Sequence, residues 1–308
     1  MFSQIPDFKA WFPDVDGIPR PDWKAIRAWM QTNVAPDQLS NAWQAMTREW
    51  LDRLRERLGD SYAVAESPHF HLLSGLDEKQ QRSLLSFLED ARAQILRRLG
   101  DISLPNRHGK HVILRFNEEE DYYRYVSYFD PEGEYAGSSG RFLGGGYLHV
   151  AYPHSDIRGV DGATLVHELT HNLLASFPLP LWFDEALAMA FEADIAGHGA
   201  PLVTRELAEE HRAYWNAQTI QEFWRGRSFS KVEGQKLAYS LASSLLNLIA
   251  TELRPSPAQI RDFVVHADRK DAGQSAAQAA LDLDLSDLVA TFLGPGDWAP
   301  KEISKAVT

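Results

Sequence analysis

The sequence predicts an α+β fold, in which a small mixed sheet with helices is followed by a helical C-terminal half. Two observations lead to this prediction. Short apolar runs at 69–73 and 111–116 have the length of strands and flank a helical pattern over 78–99. From Asp161 onward the apolar spacing is helical, over segments near 162–176, 184–197, 201–215, 233–252, 256–267 and 284–293. Alternating strands and helices indicate a sheet covered on one face by helices.

The first 60 residues are predicted to be helical and rich in tryptophan. Pro21–Trp29 and Gln38–Leu58 are the two expected helices, and Gly59-Asp60 ends the second. We expect their tryptophans to be packing residues rather than the lining of a ligand cleft: Trp23, Trp29, Trp43 and Trp50. The predicted domains are an N-terminal helical region (1–60), a main domain (61–295, with a sheet part 61–160 and a helical part 161–295) and a peripheral tail (296–308).

The middle of the chain supplies further expected elements. Asn117 is predicted to cap a tyrosine-rich helix, and a glycine-rich loop ending at Gly146 leads into a strand at Tyr147–Tyr152. That loop lacks the lysine and Ser/Thr of a phosphate-binding loop. Four histidines here raise the possibility of a second metal site, but their spacing favours surface or hydrogen-bonded roles: His69, His71, His108 and His111.

Charge and composition exclude some partners. The formal net charge is −12, whereas nucleic-acid binding needs a basic face, so we expect no nucleic-acid partner. The first residues resemble no signal peptide, and no apolar run is long enough to cross a bilayer. We therefore expect a cytoplasmic protein with no membrane partner. The residues indicate no particular oligomeric state.

The chemistry-bearing motif lies in Leu165–Leu174, which contains His167, Glu168 and His171 in an HExxH arrangement. On a helix the two histidines lie one turn apart on one face, so both imidazoles can reach one metal ion. Glu168 lies beside that position, where a general base can take a proton from a metal-bound water. The chain has no cysteine, so any zinc site must be built from His, Asp and Glu.

A catalytic zinc requires a third protein ligand. Leu174 and Phe177 occupy the positions where a metzincin would carry glycine and histidine, which excludes that class. A proline-containing loop then turns the chain back, so that a second helix carries Glu185 beside the first. Glu192 and Asp194 are alternative ligands, although a solvated helix face accounts for both equally well.

At this point the chain resembles the gluzincin metallopeptidases, specifically the peptidase MA-like family related to the gluzincin aminopeptidases. The matching residues are Trp182, Glu185 and Ala188, with Ala186 where the family usually has glycine and a shorter interval after His171. The resemblance covers roughly residues 62 to 293. It implies a zincin-like catalytic domain and one Zn²⁺ ion bound by His167, His171 and Glu185.

The resemblance also implies substrate contacts. Tyr147 to Tyr152 would be an edge strand pairing with an extended peptide through Tyr147, Leu148, His149 and Val150; a plain sheet edge is the alternative. The segment before His149 lacks the glutamate with which the aminopeptidases bind a free amine. Tyr239 is the candidate oxyanion donor, with a core tyrosine as the alternative. Weaker candidates are His149, His154 and Tyr152, and we expect surface positions for His198, His211 and His266.

These features predict a zinc-dependent metallopeptidase that hydrolyses a peptide or protein substrate through a zinc-bound water activated by Glu168. Two alternatives stay open. One is a peptide-binding protein of the same fold that is catalytically inactive or holds a structural zinc, and the other is a zinc hydrolase of a non-peptide amide. Because residues 1–60 precede the catalytic region, we also expect them to regulate access to it.

Overall fold

A computed structural model of the chain describes residues 10–104, 109–129, 140–143, 149–153, 160–197 and 203–301. The protein is mixed α and β, which confirms the predicted α+β class. It divides into two compact units, one formed by Met1–Ala91 with Leu104–Asn172 and the other by Arg92–Ser103 with Leu173–Thr308. The domain boundaries predicted from the sequence stay predictions.

All strands found among the described residues lie in the first unit, together with five helices. In chain order these are β1 (Asp14–Val15), β2 (Ile18–Pro19), α1 (Trp23–Asn33), α2 (Leu39–Leu58), β3 (Ala63–Glu66), β4 (Phe70–Ser74), α3 (Glu78–Arg98), β5 (His111–Phe116), α4 (Glu119–Ser127), β6 (Arg141–Leu143), β7 (His149–Pro153) and α5 (Val160–Leu174). The unit boundaries fall inside α3 and α5. β1 and β2 form a small antiparallel hairpin of their own.

Within the described part of the chain, the main sheet has five strands in the order β3-β4-β5-β7-β6. β5 pairs in parallel with both β4 and β7, whereas β3 and β6 run antiparallel to their neighbours. A central parallel strand is covered on both faces, so an apolar sequence is expected there. Residues 112–116 of β5 are all buried, and Arg115 is the charged member of this run.

The strand order corrects one expectation. β7 was expected at the sheet edge, but His149 pairs with both Val112 of β5 and Leu143 of β6. The backbone of β7 therefore forms hydrogen bonds with a neighbouring strand on each side, and β6 is the outermost strand at this end of the described sheet. Tyr147 and Leu148 lie outside the described residues.

The tryptophans of α1 and α2 pack in a hydrophobic core. Trp23 lies edge-on to Trp50 with ring centroids 5.3 Å apart, and Trp50 is fully buried. The packing role expected of these residues is confirmed. The same core includes Phe116 of β5 and Tyr122 of α4. α1 and α2 thus complete a core with the sheet. The expectation that residues 1–60 regulate access to the catalytic region stays a prediction.

The end of α4 is held by a distant residue. Arg20, next to β2, donates hydrogen bonds of 2.9 Å to the carbonyl oxygens of Arg124 and Tyr125. These carbonyls belong to the last turn of α4, where backbone N–H donors of the helix run out. The Ser127 hydroxyl also donates to the carbonyl oxygen of Arg124, at 3.1 Å. At the other end the N-cap is Glu118, without a side-chain cap bond, so the expected capping by Asn117 is wrong. The backbone N–H of Asn117 instead donates to the Tyr62 hydroxyl at 2.7 Å.

The described residues of the second unit are helical apart from the connections between helices. Its helices are α6 (Leu181–Ala196), α7 (Arg205–Tyr214), α8 (Thr219–Trp224), α9 (Gln235–Leu248), α10 (Pro257–His266), α11 (Gln274–Leu281) and α12 (Leu285–Leu293). α6 packs on α9, and a π-helical turn, Ile249–Leu253, continues α9. A reciprocal capping box between Ser256 and Gln259 starts α10.

The segment after α12 packs on α8, contrary to the expectation that this part of the chain is peripheral. Trp298 is buried, and its carbonyl oxygen accepts a 2.8 Å hydrogen bond from Trp224 Nε1. Gln221 Nε2 donates to the carbonyl oxygen of Ala299. Among the described residues, no helix combines the length and apolar character needed to cross a bilayer.

Candidate metal centre

α5 presents two histidines to one side and an apolar stripe to the other. The stripe residues are fully buried and anchor the helix: Leu165, Val166, Leu169 and Leu173. His167 and His171 are half-buried, their ring centroids lie 4.9 Å apart, and their Nε2 atoms are 3.2 Å apart. The helical spacing of the HExxH motif therefore brings two imidazole nitrogens to one point.

Glu185 joins this pair from the second turn of α6. Its side chain is buried, with a 9% exposed fraction. One ligand atom from each of His167, His171 and Glu185 lies within 4.8 Å of the others, and this is the metal-capable group found among the described residues. All three members lie in a continuous stretch of chain, helix–loop–helix, as the spacing of the residues predicted.

The chemistry of this group suits a divalent metal ion. Zinc–nitrogen bonds measure about 2.0–2.1 Å, so two nitrogens on a tetrahedral ion are about 3.3–3.4 Å apart. The 3.2 Å between the two Nε2 atoms is close to that separation. Two imidazoles and one carboxylate are a donor set for zinc, although other first-row ions accept it as well.

The start of α6 is fixed by contacts on either side of Glu185. Trp182 is fully buried, and its Nε1 donates to the carbonyl oxygen of Ala272 at 2.9 Å. Phe183 packs edge-on to Phe263, with ring centroids 4.4 Å apart. Ala186 is fully buried, so the position next to Glu185 is filled by a small side chain in close packing. These contacts set the rotation of α6 and hence the direction of Glu185.

α5 is tied to the sheet immediately after its second histidine. Asn172 is fully buried, and its Oδ1 lies 2.7 Å from His111 Nδ1 at the start of β5. Thr170, also buried, donates its hydroxyl to the carbonyl oxygen of Val166. The sequence did not single out Asn172, although a polar residue among the apolar positions of an amphipathic helix was a signal for such a contact.

The remaining predicted site residues have the following positions. Glu168 is half-buried on α5, one residue after the first ligand. Tyr239 is half-buried on α9, with its ring edge-on to Phe229 at 5.1 Å. The general-base role of Glu168 and the oxyanion role of Tyr239 stay predictions, as do substrate contacts by His149 and Val150 of β7. His154 lies outside the described residues.

The alternative third ligands are not members of the metal-capable group. Asp194 is exposed, and one of its oxygens lies 3.2 Å from Arg98 Nε. Glu192 is half-buried on α6, two turns beyond Glu185. Glu185 is therefore the carboxylate that α6 brings to the histidine pair.

Most of the other histidines have separate structural environments. His69 pairs with Glu89 at 2.7 Å. His71 is buried, and burial lowers its pKa to about 4. His266 is exposed as expected, whereas the surface position expected for His211 is wrong, because only 1% of it is exposed. His108 and His198 lie outside the described residues.

In comparisons with known proteins, no family model matches this sequence and no curated protein matches it.

Proposed function

We propose that this protein is a zinc-dependent metallopeptidase of the gluzincin type. The observation that carries the proposal is the meeting of His167, His171 and Glu185, whose ligand atoms lie within 4.8 Å of one another. A group of three protein ligands leaves a coordination position for water or substrate, which is the pattern of catalytic rather than structural zinc sites. The resemblance of the HExxH and Trp182–Ala188 segments to the peptidase MA-like family supports the same conclusion.

The two imidazoles would bind the ion through Nε2, and the carboxylate of Glu185 would supply the negative ligand. A zinc ion in this position polarises a substrate carbonyl and lowers the pKa of water beside it. The half-buried histidines and the buried glutamate are suited to this, because a partly dry site strengthens the interaction of the carboxylate with a cation.

Glu168 would carry the proton transfers. Its carboxylate would accept a proton from the attacking water and deliver it to the nitrogen of the leaving amine. The Tyr239 hydroxyl would donate a hydrogen bond to the developing oxyanion. One water is consumed for each peptide bond cleaved: its oxygen joins the carbonyl carbon, and one of its protons goes to the leaving nitrogen.

Metal content and peptide hydrolysis test the proposal separately. Glu168→Gln should keep one zinc per chain and lose hydrolysis of a casein or mixed-peptide substrate by at least about 100-fold, as expected when a general base is removed. His171→Ala should lose both. Glu192→Gln, on the same helix as Glu185 but outside the group, is the matched control and should retain both.

Two results would argue against the proposal. Wild-type protein that is purified without metal and takes up none after incubation with zinc would exclude a metal enzyme. Stoichiometric zinc without hydrolysis of any peptide would favour one of the alternatives, a peptide-binding protein or a hydrolase of a non-peptide amide.

A further inference from the structure

The second unit contains a cavity of about 530 Å³, whose lining includes none of the three metal-capable side chains but does include Tyr239, the candidate oxyanion donor. It is bordered by α6, α7, α9 and α12, and its walls are mainly apolar. Small-molecule sites measure about 300–1,000 Å³ and combine apolar walls with a few placed polar groups. Its lining includes Met189, Leu207, Lys236, Ser240, Ser243 and Phe292.

One polar group on the wall is oriented by a buried relay. Trp215 Nε1 donates to His211 Nδ1 at 2.9 Å, and His211 Nε2 lies 2.9 Å from Ser240 Oγ. An indole N–H can only donate, so His211 Nδ1 must be the acceptor. Burial lowers the pKa of His211 to about 4, so the ring is neutral at pH 7 and its single proton sits on Nε2. His211 therefore donates to Ser240.

This assignment fixes what Ser240 can do. Its oxygen accepts from His211, so its own hydrogen points elsewhere. Within the part of the chain that the structure describes, that hydrogen is not donated to the backbone one turn earlier, whereas Ser244 does donate to the carbonyl oxygen of Ser240 at 2.8 Å. Ser240 thus offers an oriented O–H donor to the cavity. It is not a nucleophile activated by His211, because Nε2 has no lone pair to take the hydroxyl proton.

A cation lies one turn before this donor. Lys236 also lines the cavity, and its ammonium group contacts Glu210 at 2.7 Å. Both partners are largely exposed, at 67% and 48% of their side chains. Exposed ion pairs of this kind add little stability, so Lys236 can exchange Glu210 for another anion at little cost. The cavity then combines a hydroxyl donor and a positive charge at one end with apolar walls elsewhere.

We propose that this cavity binds a monocarboxylate with an unbranched apolar tail. The carboxylate would accept hydrogen bonds from Ser240 and Lys236, and the tail would contact Met189, Leu207 and Phe292. Both polar groups lie on the same face of α9, four residues apart, which is the spacing at which two helix side chains can contact one ligand group. Tyr239 also borders the cavity, but the proposed carboxylate and tail contacts use neither Tyr239 nor the metal-capable group, so they do not depend on the proposed peptidase activity.

Isothermal titration calorimetry of the full chain with octanoate, decanoate and decanol, below their aggregation concentrations, tests this site. Each methylene added between octanoate and decanoate should tighten binding about three- to fourfold. Ser243→Phe, which fills the cavity, should weaken decanoate and decanol alike by at least about 10-fold. Lys236→Gln should weaken decanoate about 5- to 10-fold and leave decanol unchanged, because only the carboxylate needs the charge.

Lys270→Gln is the matched control, since Lys270 is an exposed lysine that pairs with Asp268 and does not line the cavity. It should bind both ligands like the wild type. The proposal would be overturned if wild-type protein binds no decanoate, if Ser243→Phe binds it with unchanged affinity, or if Lys236→Gln weakens decanol as much as decanoate. Lys236 is exposed, so this variant is expected to fold even if filling the cavity disturbs the helices.

Discussion

His111 Nδ1 lies 2.7 Å from Asn172 Oδ1, so the first residue of β5 holds α5 immediately after the second histidine of its HExxH motif. Asn172 is fully buried, and its loss leaves the imidazole nitrogen of His111 without this partner. The bond is part-buried, because His111 itself is half-buried, and losing one side of such a bond costs at most about 1–3 kcal/mol.

We therefore predict that Asn172→Ala lowers the free energy of unfolding by about 1–3 kcal/mol, measured by urea denaturation of metal-free protein. Asn33→Ala provides the matched control, because Asn33 is exposed and makes only a local hydrogen bond to the carbonyl oxygen of Trp29. The control should change stability by no more than about 0.5 kcal/mol. Equal effects of the two substitutions would contradict a special role for the contact with His111.

Substitution of the three candidate third ligands, Glu185, Glu192 and Asp194, should show which carboxylate binds zinc. Glu185→Gln should weaken zinc binding by more than about 100-fold, beyond the 10–100-fold typical of residues that only support a ligand. Asp194→Asn and Glu192→Gln should retain wild-type affinity. Competition with a zinc-sensitive dye measures the zinc dissociation constant of each variant. If Asp194→Asn or Glu192→Gln lost more zinc affinity than Glu185→Gln, that residue and not Glu185 would be the third ligand.

Two buried histidines predict a pH dependence of stability. Burial lowers the pKa of His71 and His211 from 6.5 to about 4, against an opposing influence of Glu66 on the first and of Glu210 on the second. Between pH 6.5 and 4 the unfolded chain binds more protons than the folded one. The free energy of unfolding should therefore be highest above pH 6.5 and fall by up to about 1.4 kcal/mol per pH unit for each histidine as the pH drops.

Urea titrations at pH 7.5, 6.0 and 5.0 measure this slope. His71→Leu and His211→Phe should each make it shallower, because each removes one group that takes up a proton on unfolding. His266→Gln is the control, since this histidine is exposed, and should leave the slope as it is. If neither buried-site variant changes the slope, the titration of other groups must account for the pH dependence.

The last prediction concerns the N-terminal helices. Trp50 is fully buried in the core that α1 and α2 share with Phe116 and Tyr122. Trp50→Ala should lower the free energy of unfolding by about 3–5 kcal/mol. Deletion of residues 1–60 should give insoluble protein, because it exposes the other half of this core. A soluble, cooperatively unfolding product would instead show that the remaining chain folds without these helices.

The spacing of apolar residues predicted those helices and strands that are long enough to show a helical or strand-like period. The strand His111–Phe116 has the predicted bounds, and the buried stripe of α5 follows the 3.6-residue period. Short elements such as β6 and α8, with three and six residues, contain less than two full periods and were missed. β6 forms by pairing with β7, and α8 is held by hydrogen bonds to the backbone of Trp298 and Ala299, so contacts outside each element decide both.

The candidate site was predictable from sequence because its three residues lie close together along the chain. His167, His171 and Glu185 lie in consecutive helices, so helical geometry and a short loop were enough to place them together. The interior position of β7 was not predictable, because the order of strands in a sheet depends on tertiary contacts. The burial of His211 was missed for the same reason: α7 is mostly polar in sequence, and the residues that cover His211, such as Phe292, come from α12.

The two hydrogen bonds from Arg20 to the end of α4 join positions 104 and 105 residues apart. At a synthesis rate of about 5–20 residues per second, Arg20 leaves the ribosome roughly 5 to 20 seconds before its acceptors do. During that interval the nascent chain carries the apolar faces of α1 and α2 without β5 or α4 to cover them. The tryptophan-rich start of this protein is therefore the segment for which chaperone capture, or aggregation in its absence, competes with folding.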